Sequence, residues 1–432
     1  WAGEQVVELE FGRIGPDDVL VDDAGRVVPH QLVQSRATAG GRNRLCFLAD
    51  LPALGYRTYR VIPAAASEDA PPAVDATDTM LDNGHFRLTF DERTGHLSSL
   101  RDLEADIETL AGPAAVPVVL DDPTDTWGHN TFRWDRTIGS FQLECVQLVE
   151  RGPVRWTVRV TSRFGQSTLR QDFSLYAAGN GKSRPIDVAV TVDWREPLKM
   201  LKLRFPVNLK FMKVTSEAPY GYVERKAYGD EEPIQSWLDV SGVSRDREIS
   251  YGFALLNDGK YSGDVNVRDI GLTALRNPVY AHHIPAELRP DGAYTFVDHG
   301  VQRFNYAILP HRGCWESAQV VKAAAELNQR PFAMLATFHP QGALPQTDGF
   351  IEVAPSNVIV SAVKKAEDGA ALILRAFETT GAATDATIRL PKWDRTIRAT
   401  FAPGELKTFR VPADRAAAVT AVNLLEWEAQ AA

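Results

Sequence analysis

Three polar-aromatic clusters in this 432-residue chain carry residue types that could build a binding or catalytic site. The first is Asp125-Thr126-Trp127-Gly128-His129-Asn130, directly after Asp121-Asp122-Pro123. An exposed indole stacks on the apolar face of a pyranose, while imidazole and carboxylate groups exchange hydrogen bonds with its hydroxyls. The same residues also suit a capping loop whose Trp fills the core. The second cluster, Tyr220-Gly221-Tyr222-Val223-Glu224-Arg225, continues through Asp230-Glu231-Glu232-Pro233 to Trp237. Carboxylates beside aromatics suit hydroxyl binding or an acid/base pair, and equally a solvated loop held by an Arg–Glu ion pair. The third, Leu255-Leu256-Asn257-Asp258-Gly259-Lys260-Tyr261, runs an apolar strand abruptly into polar side chains. A polar fan at a strand end is a common way to build a site; an Asn-Asp-Gly turn has the same letters.

Other catalytic signatures are missing. There is no His-Glu-x-x-His, no Gly-x-Ser-x-Gly, no phosphate-binding glycine loop and no Cys-x-x-Cys. The adjacent His282-His283 point to opposite faces of a strand and make poor joint ligands. Spacing alone therefore offers no metal set and no catalytic residue. The net charge of -9 and a pI near 5.6 argue against nucleic acid, whose phosphates demand dense positive charge. No stretch reaches the ~20 apolar residues of a membrane-spanning helix. With 44% hydrophobic and 24% charged residues, the expectation is a soluble globular chain of two or three domains. Cys46, Cys145 and Cys314 lie far apart, which fits buried free thiols in a reducing compartment. No signal peptide is visible, so a cytoplasmic protein is expected. A start at Trp1 is expected of a processed chain or a fragment.

The elements that must position the clusters are strands. Apolar residues fall on every second position of Ile186–Trp194, of Val154, Trp156, Val158 and Val160, and of Leu201, Leu203, Phe205 and Val207. Phe86, Leu88 and Phe90 repeat the pattern before a turn at Asp91-Glu92-Arg93-Thr94-Gly95. The best helix candidate runs from about Trp315 to Leu327. A Pro/Ala-rich linker over Pro63–Ala73 and a break between Pro331 and Pro355 divide the chain into a small N-terminal β domain (1–75), a large central two-sheet assembly (76–330) and a C-terminal β-sandwich (331–432). The fold class is mainly β, built from antiparallel sheets.

Stretches spread over nearly the whole chain resemble the C-terminal β region of the α-mannosidases of glycoside hydrolase family 38. They include Leu51-Pro52-Ala53-Leu54-Gly55-Tyr56-Arg57, Leu81-Asp82-Asn83-Gly84-His85-Phe86, Val192-Asp193-Trp194, Pro219-Tyr220-Gly221-Tyr222-Val223-Glu224-Arg225, Trp237-Leu238-Asp239-Val240-Ser241-Gly242, Leu256-Asn257-Asp258-Gly259-Lys260-Tyr261, Tyr280-Ala281-His282-His283 and Leu309-Pro310-His311. The resemblance implies a galactose-mutarotase-like β-supersandwich in the middle block, with smaller β-sandwich domains on either side. Family members are retaining, zinc-dependent enzymes whose nucleophile and zinc sit in an N-terminal α/β barrel. No match to either occurs here, so the chain is expected to hold no metal and to be inactive alone. By the same resemblance it buttresses the barrel and contributes contacts to a mannoside or mannose-containing glycan. Those contacts fall on Asn257, Asp258, Lys260 and Tyr261, and further on Trp127, His129, Tyr220 and Tyr222. A surface made to face a barrel also leads to an expected homo-oligomer. Ser262, Gly263, Asn277 and His299 depart from the family's habit, which bears on loop shape. Two other readings are a mutarotase-like epimerase, using His129 or His282 with Glu224 or Glu231, and a carbohydrate-binding module centred on Trp127.

Overall fold

The computed structural model describes residues 1–12, 14–15, 17–36, 43–63, 75–177, 184–282, 287–289, 291–336, 339 and 341–427. Strand Ile186–Trp194 shows how alternation becomes architecture. Ile186, Val188, Val190, Val192 and Trp194 are all at most 2% exposed, and the residues between them face the other way. This strand lies inside a nine-stranded sheet ordered Gln142–Glu150, Arg155–Phe164, Ser167–Tyr176, Ile186–Trp194, Gly300–Arg312, Ser250–Asn257, Trp237–Ser244, Leu209–Ala218 and Gly221–Arg225. A six-stranded sheet runs Thr137–Ser140, Val116–Asp121, Lys199–Pro206, Asp269–Arg276, Ser262–Asn266 and Glu232–Pro233. Leu201, Leu203, Phe205, Ile270 and Leu272 of the smaller sheet share one core with Val158, Phe173, Val190, Phe253 and Tyr306 of the larger. Phe205 meets the Tyr306 ring edge-on at 5.7 Å. Strands Phe86–Phe90 and Leu97–Asp102, from a five-stranded sheet, add Phe86, Leu88, Phe90 and Leu97 to the same core. With 56% strand and 3% helix, the chain is mainly β as expected.

Apart from Ala218, Gly221 and Tyr222, these sheets belong to one compact unit, residues 69–217 and 223–330. The second unit comprises residues 1–68, 218–222 and 331–432. Within it a three-stranded sheet, Glu352–Ala354, Thr384–Leu390 and Arg395–Phe401, and a four-stranded sheet, Val358–Lys365, Ala371–Glu378, Leu406–Pro412 and Thr420–Val422, enclose a core around Leu374, Ile388, Phe401 and Phe409. Strands Gly3–Phe11, Asn43–Leu51 and His30–Val33 form another small sheet, with a core that includes Val7, Leu45 and Phe47.

Three expectations need comment. The helix is Val320–Asn328, so it begins five residues later than the sequence suggests. Gln319 adopts a left-handed conformation (φ 55°), which ends the preceding turn, and Trp315 stacks on Trp237 at 5.0 Å. Only Cys46 is a buried thiol among the three cysteines; Cys145 sits on the edge strand Gln142–Glu150 and Cys314 in the turn before the helix, both exposed because no element covers them. Residues 64–74, nearly all of the anticipated linker, lie outside the described residues.

Two local devices give stability tests. Asp91 Oδ1 accepts hydrogen bonds from the Arg93 and Thr94 amides at 3.0 and 2.8 Å and closes the turn before Leu97–Asp102. Gly95, at φ +69°, follows, and a Cβ there would meet Leu143 and Val160 side chains at 2.7 Å. Gly95→Ala should therefore lose roughly 1–3 kcal/mol in urea unfolding, from the left-handed backbone and the overpacking together. In the C-terminal sandwich, the Glu378 carboxylate is fully buried and accepts the amides of Thr380, Gly381, Ala382 and Gly404 at 2.6, 2.8, 3.2 and 3.0 Å. Burial pushes its pKa up, but these bonds and those from the Thr380 and Asn357 side chains outweigh it and hold the group below its ordinary 4.5. The folded state thus binds this proton less readily than the unfolded chain. Its stabilisation is complete above pH 4.5 and is lost as pH falls through the lowered native value. Glu378→Gln should cost about 1.5–3 kcal/mol at pH 7, with the gap to wild type closing in urea titrations below pH 4.5.

Candidate functional site

At the end of strand Ser250–Asn257 the chain turns sharply, and Asn257 explains why. Its Oδ1 accepts the Gly259 and Lys260 amides at 3.1 and 2.7 Å, and its Nδ2 donates to the Gln235 carbonyl at 2.7 Å. At 1% exposure Asn257 shapes the turn and is withdrawn from solvent. Asp258 is engaged as well: its two carboxylate oxygens accept the amide and side-chain nitrogens of Asn305 at 2.7 and 2.6 Å. Lys260 lies half-buried with Nζ 4.7 Å from the centroid of the Phe304 ring. Burial pulls its pKa below 10.5, against the carboxylates of Asp298 and Asp258, which raise it. Tyr261 stands 65% exposed at the tip.

The Trp127 loop is built around a buried carboxylate. Asp122 is fully buried; its Oδ2 accepts Arg276 Nε at 2.9 Å, and its Oδ1 accepts Trp134 Nε1 at 2.9 Å and Thr124 Oγ1 at 2.6 Å. The Arg276 guanidinium lies 4.6 Å from the centroid of the Trp134 ring. Asp125 then accepts the Trp127 amide at 2.9 Å, and Thr126 bonds to the Val279 carbonyl at 3.1 Å. With its base fixed, the loop presents Trp127 at 67% exposure, its ring 6.2 Å from that of His129, which is also exposed. Tyr280, 64% exposed, follows Val279 on the neighbouring segment.

The two loops are joined through residues 228–236. Glu231 donates its amide to the Phe132 carbonyl at 2.8 Å, and Ile234 donates to the Tyr261 carbonyl at 3.0 Å. Glu231 itself is ion-paired with the buried Lys202. Structure therefore brings together Asn257, Asp258, Lys260 and Tyr261, and ties their turn to the loop of Trp127 and His129. Tyr220 and Tyr222 stand elsewhere, grouped with the C-terminal sandwich: Tyr220 meets the Phe377 ring edge-on at 5.3 Å, and the Tyr222 hydroxyl lies against Gly381. Of the acid/base candidates, Glu224 pairs with Lys213 at 2.5 Å, and the His282 ring packs on Tyr294 at 5.4 Å.

Residues 81–292 match the family model for the C-terminal domain of glycosyl hydrolases family 38, and residues 357–429 match the model for that family's C-terminal beta sandwich domain. The chain belongs to glycoside hydrolase family 38. Relatives carry the same relationship. Identity to alpha-mannosidase G of Dictyostelium discoideum is 28% over 337 residues, covering 71% of this chain and 28% of that protein. Identity to alpha-mannosidase 2C1 of Homo sapiens is 28% over 413 residues, covering 88% of this chain and 36% of that protein. A family 38 protein from Enterococcus faecalis shares the fold at a TM-score of 0.72 and 15% identity, over 95% of this chain and 56% of that one. The chain spans about a third of the length of the curated relatives it matches.

Among the described residues no group of three or more His, Cys, Asp or Glu converges to hold a metal ion. No helix of the described residues is long and apolar enough to cross a membrane. Sequence reasoning passed over Arg276, Trp134 and Lys202. A cation ending or interrupting an apolar strand, as in Asp269–Arg276 and Lys199–Pro206, is the available signal, and it is indistinguishable from an ordinary solvent-facing position. Arg276→Met would strand the Asp122 carboxylate and should cost roughly 3–5 kcal/mol in urea unfolding. Adding Asp122→Asn should restore part of that loss.

Proposed function

We propose that this chain is the C-terminal β portion of a retaining, zinc-dependent α-mannosidase that removes terminal α-mannosyl units in the cytoplasm. Residues 1–75, 76–330 and 331–432 are its N-terminal β domain, central supersandwich and C-terminal sandwich. The observation that carries the reading is the succession of two family 38 C-terminal matches in a chain whose relatives are named α-mannosidases. The nucleophile and the zinc belong to the barrel that the resemblance implies, and the described residues buttress it. The exposed Phe332, Met334 and Leu335 offer apolar surface for that contact.

The loops of the central domain supply part of the sugar-facing wall. Trp127 and Tyr261 are exposed rings on tightly held turns, suited to the apolar face of a pyranose. Lys260 and His129 donate to sugar hydroxyls. Asn257 and Asp258 act by holding the Lys260 turn, through their bonds to residues 235, 259, 260 and 305.

Aryl α-mannoside hydrolysis by the purified chain, with and without added zinc, should show no turnover; zinc-dependent turnover by this chain alone would overturn the assignment. In the enzyme that contains it, Trp127→Ala and Tyr261→Ala should each raise KM about tenfold, the equivalent of ~1.4 kcal/mol of lost stacking. An unchanged KM in both variants would remove these loops from the substrate site.

A further inference from the structure

Strand Lys199–Pro206 buries Leu201, Leu203 and Phe205 in the core, so Lys202 and Arg204 project to the opposite face of the six-stranded sheet. Lys202 is nevertheless only 1% exposed. Its ammonium pairs with Glu231 and Asp264, and Asp264 also holds Arg204 at 2.9 Å. Glu231 Oε2 faces Lys202, while Oε1 accepts the hydroxyls of Ser262 and Thr273. The carboxylate thus accepts from an ammonium and two hydroxyls of the protein itself, an arrangement that holds structure.

The partners of Glu231 belong to three pieces: the Lys260–Tyr261 turn, the Trp127 loop and the sheet floor. Ser262 is the residue after Tyr261. Through its amide Glu231 holds Phe132, and its neighbour Asp230 pairs with Arg133 at 2.7 Å, both on the loop that carries Trp127 and His129. Lys202 and Thr273 are the sheet floor beneath. Residues 232–233 pair in register with 262–263, which fixes the direction in which Tyr261 leaves the sheet.

We propose that Glu231 is a positioning residue, clasping the Trp127 loop and the Lys260–Tyr261 turn to the buried Lys202 so that the two loops present one platform for a mannoside. The inference rests on the sugar-contacting role proposed above for these loops. Glu231 acts through Trp127 and Tyr261 and does not itself touch the sugar. Replacing it with Ala keeps the backbone bond to Phe132 but unties residues 230–232 from Lys202, Ser262 and Thr273, so both loops lose their common anchor, whereas Gln keeps an acceptor for Ser262 and Thr273 and leaves Lys202 paired with Asp264.

The test is binding of methyl α-mannoside to this chain, followed by NMR titration, with the Trp127 indole N–H resonance assigned by its loss in Trp127→Phe. Glu231→Ala should weaken binding at least tenfold and shift that resonance, and Glu231→Gln should restore affinity to within about threefold of wild type. Should Glu231→Ala not fold, the double variant Ser262→Ala, Thr273→Val carries the same two readouts without uncovering Lys202. If Trp127→Ala and Tyr261→Ala weaken binding but removing the clasp changes neither affinity nor the resonance, the clasp is refuted and the sugar-contacting role stands. If the chain does not bind methyl α-mannoside, or those two variants bind as wild type does, the sugar-contacting role falls and the clasp falls with it.

Discussion

One dry layer between the six-stranded and nine-stranded sheets decides where every polar group of residues 69–217 and 223–330 can go. Apolar side chains enter it at every second position, as Leu201, Leu203 and Phe205 do opposite Phe253 and Tyr306. A period of two leaves no choice for the alternate positions: whatever stands at 202 and 204 must lie on the outer face. In this chain they are Lys and Arg, so the outer face of the smaller sheet is charged at a place that loops then cover. The core thereby forces a polar problem on its own exterior, and the loops that answer it are those that carry the candidate site.

Answering it gives little net stability. Taking an ion out of water costs several kcal/mol even after relaxation, and pairing roughly offsets that cost. Lys202 is matched by two carboxylates from separate segments, and Asp122 by the Arg276 guanidinium of a sheet strand together with an indole and a hydroxyl of its own loop. Such sets tolerate few alternative loop paths, because a shifted loop leaves a buried charge without its partner. Specificity of conformation is what the arrangement supplies. It explains how Trp127 and Tyr261 can be about two-thirds exposed on loops whose backbones are pinned.

This division also marks how far the sequence could be read. Strand Ile186–Trp194 was legible residue for residue, because burial on one face writes its period directly into the letters. The three clusters were legible as residue types. Their division of labour was not, since an Asn that closes a turn and an Asn that binds a ligand look alike. Asn257 closes the turn. Proximity along the chain misled as well: the stretch from Tyr220 to Trp237 reads as a single cluster, yet Tyr220 packs on Phe377 in one unit and Trp237 on Trp315 in the other. The helix start was hidden because one left-handed residue, Gln319, interrupts an Ala-rich run with no Gly or Pro to announce it.

The pattern of hydrogen bonds separates holding from reacting. A general acid or base needs an oxygen or nitrogen that faces the substrate and is free to exchange a proton. Asp122, Glu231 and Asp258 each spend both carboxylate oxygens on groups of the protein itself, and Glu224 is paired with Lys213. What these loops turn toward solvent is different in kind: the rings of Trp127 and Tyr261 and the imidazole of His129, with Lys260 at half exposure beside them. Rings and fixed donors recognise a pyranose without altering it. In a family 38 chain matched to C-terminal domains, this difference is what supports the proposed reading of these loops as a sugar-facing wall.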